Sequence, residues 1–149
     1  YDKGIRLINL TLGNPYLIPH INRPCINAPE DGEIGMKRIY DVTKELKNEF
    51  EDILFIASGL TYPAENAMEY AEKLINEGVS DFAGFGRMTF AYPDFYKDYC
   101  EKGELDKRKL CLRCSKCSAL MRAGTVAGCP VRDQEVYMPY YQKYVLGKV

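Results

Sequence analysis

Apolar and polar residues alternate through "GIRLINLTLG" (4–13), which is rich in Ile and Leu and closes on a glycine. A period of two in such a run predicts a buried strand. "NPYLIPHINRPCINAPEDGEIG" follows, and its four prolines predict a long loop rather than a helix. From Arg38 to about Glu51 the residues Ile39, Val42, Leu46 and Phe50 recur at helical spacing. "ILFIASG" (53–59) is a short continuous apolar run ending in glycine, the pattern of a parallel strand covered on both faces. "PAENAMEYAEKLINEG" then reads as a helix. Pro63 suits its first turn, Ala67, Met68, Ala71, Leu74 and Ile75 form its inner stripe, and Gly78 ends it. "SDFAGFG" (80–86) is a third buried strand, followed directly by Arg87.

Strands alternating with helices of crossover length predict an α/β fold with a parallel sheet and right-handed crossovers. Three strands are too few to close a barrel of eight, which leaves a small open α/β sheet or the last part of a larger barrel. A length of 149 residues suffices for one domain with a real core. A hydrophobic content of 46% with 28% charged residues fits a globular chain and argues against disorder. The net charge of −1 gives no electrostatic ground for nucleic acid or an anionic membrane as partner. No apolar run approaches the length of a membrane span, and no signal-peptide pattern opens the chain, so a cytoplasmic protein is expected. The chain starts at Tyr1 with a strand almost at once, so a natural beginning upstream is expected.

In parallel α/β folds, ligands sit at the carboxyl ends of the strands. "ASGL" (57–60) and "GFGR" (84–87) stand there. Glycines let backbone N–H groups approach a ligand, a following helix N-terminus favours phosphate, and Arg87 adds a charge-assisted bond. The other reading makes these glycines tight turns and Arg87 a surface charge.

Four of the six cysteines crowd into "CLRCSKCSALMRAGTVAGCP" (111–130) as C-x2-C-x2-C-x11-C, with Pro130 after the last. Small secreted scaffolds spread their cysteines along the chain, so disulfides are disfavoured, and metal ligation in a reducing compartment is expected. Structural zinc usually takes two separated C-x2-C pairs or cysteine with histidine. Three close cysteines, a remote fourth and a proline favour a [4Fe-4S] cluster, with zinc the alternative. Arg113, Lys116 and Arg122 would offset the charge of four thiolates.

"FIASGL", "DFAGFGRMTFAYPDFYKDYCEKGELD" and "CLRCSKC…GCPVRD" together resemble the end of the Old Yellow Enzyme family, in the branch of 2,4-dienoyl-CoA reductase and 2-enoate reductase. The resemblance covers almost the whole chain, as about strands six to eight of a (β/α)8 TIM barrel. It implies an FMN-binding barrel portion over residues 1–103 and an iron–sulfur loop and tail over 104–149. It further implies that Ser58, Gly59, Leu60, Gly84, Gly86 and Arg87 bind the FMN phosphate and that Cys111, Cys114, Cys117 and Cys129 hold a [4Fe-4S] cluster. The activity implied is ene-reduction of an activated C=C bond in an enoate or enoyl thioester, with electrons drawn from NADH or another donor. The family's second cysteine gap is usually three residues, whereas "CSKC" has two. A full barrel needs about 250 residues, so the first five strands are not in this chain.

His20 is the single histidine and lies in "GNPYLIPHINRP", after the first strand. His20 or Tyr16 is a candidate proton donor to substrate, and Arg23 a candidate for its carboxylate or phosphate. The alternative is that His20 and Tyr16 pin a proline-rich loop. "VYMPYYQKY" (136–144) is expected to pack against a surface rather than do chemistry. A zinc-stapled module without redox activity is the rival for the whole chain. An open half-barrel is also expected to self-associate.

Overall fold

The computed structural model describes residues 2–14 and 17–148, and the chain divides into two compact units, 1–86 and 87–149. The division expected at 103/104 lies inside the second unit.

In the first unit β1 (Leu7–Leu10), β2 (Leu54–Ala57) and β3 (Phe82–Ala83) fall within the three segments read as strands. They pair in parallel and in sequence order, with Leu7 opposite Leu54 and Ile56 opposite Phe82. Between them run α2 (Gly32–Glu49), which packs on β2, and α3 (Ala67–Asn76), which packs on β3. A four-residue helix, α1 (Pro19–Asn22), precedes them in the proline-rich stretch. The core joins Ala57 and Leu60 to Ala71, Leu74 and Val79, flanked by Tyr40, Ala83 and Phe85.

Strand β2 differs from the expectation of a strand covered on both faces. Phe55 and Ala57 are buried, but Leu54 is 45% exposed, as are Leu7 (53%) and Phe82 (47%). Parallel neighbours taken in sequence order, with crossovers of one hand, put both helices on the same side of the sheet. Among the described residues, the face carrying Leu7, Leu54, Ile56 and Phe82 is the more exposed one.

Helix α2 starts earlier than periodicity predicted, inside the stretch read as loop. Asp31 caps it by accepting the Glu33 N–H at 2.8 Å. Gly32 and Gly35 look like helix breakers in sequence, yet both are buried. A Cβ at Gly32 would lie 2.2 Å from the Tyr62 ring, and one at Gly35 would lie 3.2 Å from Pro24. Its buried stripe is Met36, Ile39 and Thr43, and the Thr43 hydroxyl is satisfied by the Ile39 carbonyl at 2.7 Å. On α3, Ile75 is 43% exposed and does not join the inner stripe.

The second unit holds α4 (Arg87–Ala91), α5 (Phe95–Lys102), α6 (Lys116–Arg122) and α7 (Gln134–Tyr144). Gly103 ends α5 in the left-handed region, φ 74°, donating its N–H to the Tyr99 carbonyl. The polar centre of this unit is Asp98, 7% exposed. Its carboxylate accepts from Lys102 at 2.6 Å, from the Tyr92 hydroxyl and from Lys109 at 3.0 Å. The Lys109 ammonium also lies 4.8 Å from the centre of the Tyr92 ring.

Substituting Gly84 and Gly86 separates packing from loop freedom. A Cβ at Gly84 would meet Ile56 at 3.0 Å and the Ala57 carbonyl at 3.1 Å, while one at Gly86 meets no atom within 4 Å. Gly84→Ala is expected to cost about 1–3 kcal/mol in a urea melt, with Gly86→Ala within error of wild type. Acid unfolding tests Asp98. The hydrogen bonds from Lys102, Tyr92 and Lys109 hold its carboxyl well below the usual range. The stabilisation is complete above an unfolded pKa of about 3.9 and is lost as pH falls below it. Asp98→Asn should lower Tm at pH 7 and flatten the fall in Tm between pH 5 and pH 2.

Candidate metal centre

The cysteine segment is shaped by two residues in an unfavourable backbone region. Arg113 (φ 57°) and Ser115 (φ 58°) are left-handed on either side of Cys114. Side chains other than glycine, Asn and Asp adopt this region rarely, and such residues gather at functional sites. The turn lets the Arg113 N–H reach back to Cys111 Sγ at 3.4 Å. It also sets Ser115 as the residue before α6, where its carbonyl accepts the Ala119 N–H. Cys117 then falls in the first turn of α6 and is buried, as is Cys111.

Cys129 comes from the far end of the segment, and three contacts bring that end back. Arg132 donates to the Leu110 carbonyl from Nε at 3.0 Å and from Nη2 at 2.7 Å. This joins the residue before Cys111 to a residue three past Cys129. Gly128 lies under the Tyr137 ring so closely that a Cβ would come within 2.2 Å of it. Lys116 extends over the Tyr141 ring, 5.5 Å from its centre. The tyrosines of α7 therefore brace the cysteine segment through α6 and Gly128.

All six cysteines are free thiols. Burial pushes the Cys111 thiol above its ordinary pKa. The Arg113 N–H and the Arg87 charge oppose that rise, and Cys117 and Cys129 add to it. Burial likewise raises Cys117, with Arg87 and Ser118 opposing and Cys129 adding. Cys111, Cys117 and Cys129 thus lie within electrostatic range of one another, and the Arg87 guanidinium faces two of them. Among the described residues no three His, Cys, Asp or Glu side chains stand at ready-made ligand spacing. Cys111, Cys117 and Cys129 are neighbours in this segment, Cys114 lies on the turn between the left-handed Arg113 and Ser115, and the Arg113 N–H donates to Cys111 Sγ.

The strand ends of the first unit are of mixed character. Ser58 donates to Asn9 Oδ1 at 2.5 Å, joining the ends of β2 and β1. Gly59 needs its glycine for conformation, φ 92°, and its carbonyl accepts the Tyr62 N–H. Leu60 is wholly buried in the core with Ala57, Ala71, Leu74 and Val79, which speaks against a ligand contact there. Gly84 is filled by its own chain, donating to the Ala57 carbonyl at 2.8 Å, whereas the space beside Gly86 is open. Gly59 is thus a glycine by conformation, and Gly86 one with open space where a Cβ would stand. Arg87 opens α4 and is 8% exposed, with Nη1 3.5 Å from Ser115 Oγ.

His20 lies on α1 with Nε2 3.9 Å from Glu30 Oε1. Glu30 is itself held by Arg38 through a two-pronged pair at 2.9 and 2.6 Å, which keeps its carboxyl below the usual range. Arg23 caps α1, its N–H donating to the Pro19 carbonyl. Tyr16 lies outside the described residues. Sequence reasoning missed Glu30, Asn9, Ser115 and Arg132. Only Arg132 had a signal, its place in "GCPVRD" beside the last cysteine.

No family model matches this chain, and no curated protein or solved structure matches it. Arg132→Ala is expected to lower stability by about 1–3 kcal/mol, the loss of a charge-assisted hydrogen bond with its carbonyl left behind. It should also speed alkylation of Cys111 and Cys129 by iodoacetamide relative to Cys25, read by mass spectrometry. An unaltered pattern would mean that the clamp does not hold the segment shut.

Proposed function

We propose that this chain is a C-terminal portion of an FMN- and iron–sulfur-dependent oxidoreductase of the Old Yellow Enzyme type. Such an enzyme reduces an activated C=C bond in an enoate or enoyl thioester, with a nicotinamide or other donor as electron source. The observation that carries the reading is the Cys111–Cys117 turn. Cys111, Cys117 and Cys129 are electrostatic neighbours there, and the Arg113 N–H points at Cys111 sulfur. Such N–H···S bonds are among the features that set the potential of iron–sulfur centres.

Two further observations support it. Parallel strands in sequence order with helices on one side are the arrangement of a barrel wall. Leu7, Leu54 and Phe82 on the other side are the residue type that fills a barrel interior. A flavin would supply hydride transfer and a [4Fe-4S] centre single-electron transfer. This chain's own part is to meet a phosphate at the strand ends around Gly59 and Arg87 and to hold the centre through Cys111, Cys114, Cys117 and Cys129. His20, whose Nε2 stands 3.9 Å from Glu30 Oε1, is the residue proposed to donate a proton to substrate.

Anaerobic reconstitution with iron and sulfide tests the proposal on the chain itself. About four iron and four sulfide per chain, with broad visible absorption that bleaches on dithionite, is the expected result. Cys111→Ser should abolish it. A colourless protein retaining one zinc ion against iron would overturn the redox reading in favour of a structural zinc module.

A further inference from the structure

The more exposed face of the sheet is apolar except for one polar pair at its carboxyl end. Side chains along a strand alternate between faces, so Asn9 shares a face with Leu7, and both are exposed. The register partner of Asn9 on β2 is Ile56, and Leu54 and Phe82 complete the apolar layer. Asparagine is depleted in strands, where branched and aromatic residues pack best. Its place in β1 is therefore not explained by strand formation.

The Asn9 amide is anchored on one side. Its Oδ1 accepts the Ser58 hydroxyl at 2.5 Å. A side-chain amide also carries two N–H donors, and among the described residues those of Asn9 have no acceptor. Fixing the oxygen fixes the amide plane, so the donors are oriented before a ligand arrives. Gly84 keeps the third strand clear beside the pair, since a Cβ there would stand 3.0 Å from Ile56 and 3.3 Å from Ser58 Oγ. Asn9, Ser58 and Gly84 thus form a ledge across the carboxyl ends of three parallel strands, next to Leu54, Ile56 and Phe82. Ligands of parallel α/β folds sit at this end of the strands.

We infer that Asn9 is a flavin-binding residue: from this ledge its amide donates to a ring carbonyl of the flavin, whose planar ring lies against the apolar layer of the same face. The inference deepens the proposed function and rests on its flavin. A flavin ring has one apolar edge and one edge bearing carbonyls, which matches an apolar surface with a single fixed donor. Hydrogen bonds to that ring are among the means by which a protein tunes flavin electronics. The contact is separate from the phosphate contact implied for Arg87. Ser58, which the family resemblance also assigns to the phosphate, gives its hydrogen to Asn9.

The test titrates riboflavin and FMN separately into the chain, with binding read from flavin fluorescence and each variant checked by far-UV circular dichroism. Riboflavin lacks the phosphate and so reports the ring contact. Wild type is expected to bind both. Asn9→Asp still accepts from Ser58 but puts an acceptor where the ring carbonyl needs a donor, so it should bind each flavin about tenfold or more weakly. A residue that only ties β1 to β2 would be served equally by aspartate. If wild type binds both flavins and Asn9→Asp matches it, the inference falls and the flavin reading stands. Binding of FMN without riboflavin would mean that the ring makes no contact of its own, and the inference falls in the same way. If neither flavin binds, the flavin reading falls and the inference with it. Should Asn9→Asp lose its helical spectrum, Asn9→Leu decides: weaker riboflavin binding supports the inference, and unchanged affinity overturns it.

Discussion

The Asp81 carboxylate accepts the Phe55 N–H at 2.8 Å and the Lys47 ammonium at 2.5 Å, while the Asp81 N–H donates to the Phe55 carbonyl at 2.9 Å. Burial works against ionisation of this group, but Lys47 and the Phe55 N–H outweigh it and keep the carboxyl below its usual range. The arrangement matters because β3 contributes only two paired residues, too few to define a register alone. A slip of one residue would exchange the faces of a strand. It would turn Ala83 away from the Ala57–Leu74 core and Phe82 into it. With Asp81 fixed, Gly84 meets the Ala57 carbonyl and the Ser58 region closes on Asn9. The strand-end geometry therefore depends on one carboxylate at the opposite end of β3.

The second unit is held together by another kind of force. Its helices are short, and long-range polar links do much of the work that strand pairing does in the first. Asp98 gathers α5 to the lysines that follow it, and Arg132 joins the two ends of the cysteine segment. Left-handed conformations at Arg113 and Ser115 cost of order 1–3 kcal/mol each. They persist because the surrounding contacts over-determine the turn: the Arg113 N–H on sulfur, Ser115 before α6, and tyrosines of α7 against Gly128 and Lys116. Strain held by so many contacts gives the turn a fixed shape, and a fixed shape is what convergent ligation requires.

Much of the first unit was legible in the sequence because its elements obey simple periods. The three strands and two crossover helices follow from runs of branched residues, helical spacing and terminal glycines. What escaped depends on particular partners rather than on period. Helix α2 begins at Gly32 because a glycine there admits the Tyr62 ring, and nothing local announces that ring. Thr43 is buried because its hydroxyl turns back to Ile39, so it hides among polar positions in the pattern. Leu54 and Phe82 look like core residues on hydrophobicity alone, yet exposure depends on which side the helices take. For the candidate site, the cysteines and Arg87 were visible as residue types at telling spacing. Glu30 was not, since nothing in its neighbourhood announces its pairing with Arg38, and Arg132 was visible only through its place in "GCPVRD".

Charge in the cysteine segment acts at two levels. A run of basic residues without a carboxylate biases the whole region towards an anionic occupant, and this bias is readable in one dimension. Solvent-exposed charges contribute weakly and are screened by salt. A buried guanidinium is screened far less, and its placement is a property of the fold. The exposed lysines and arginines therefore set a background potential, while Arg87 sets the local one felt by Cys111 and Cys117. Burial raises those two thiols and outweighs the opposing Arg87 charge.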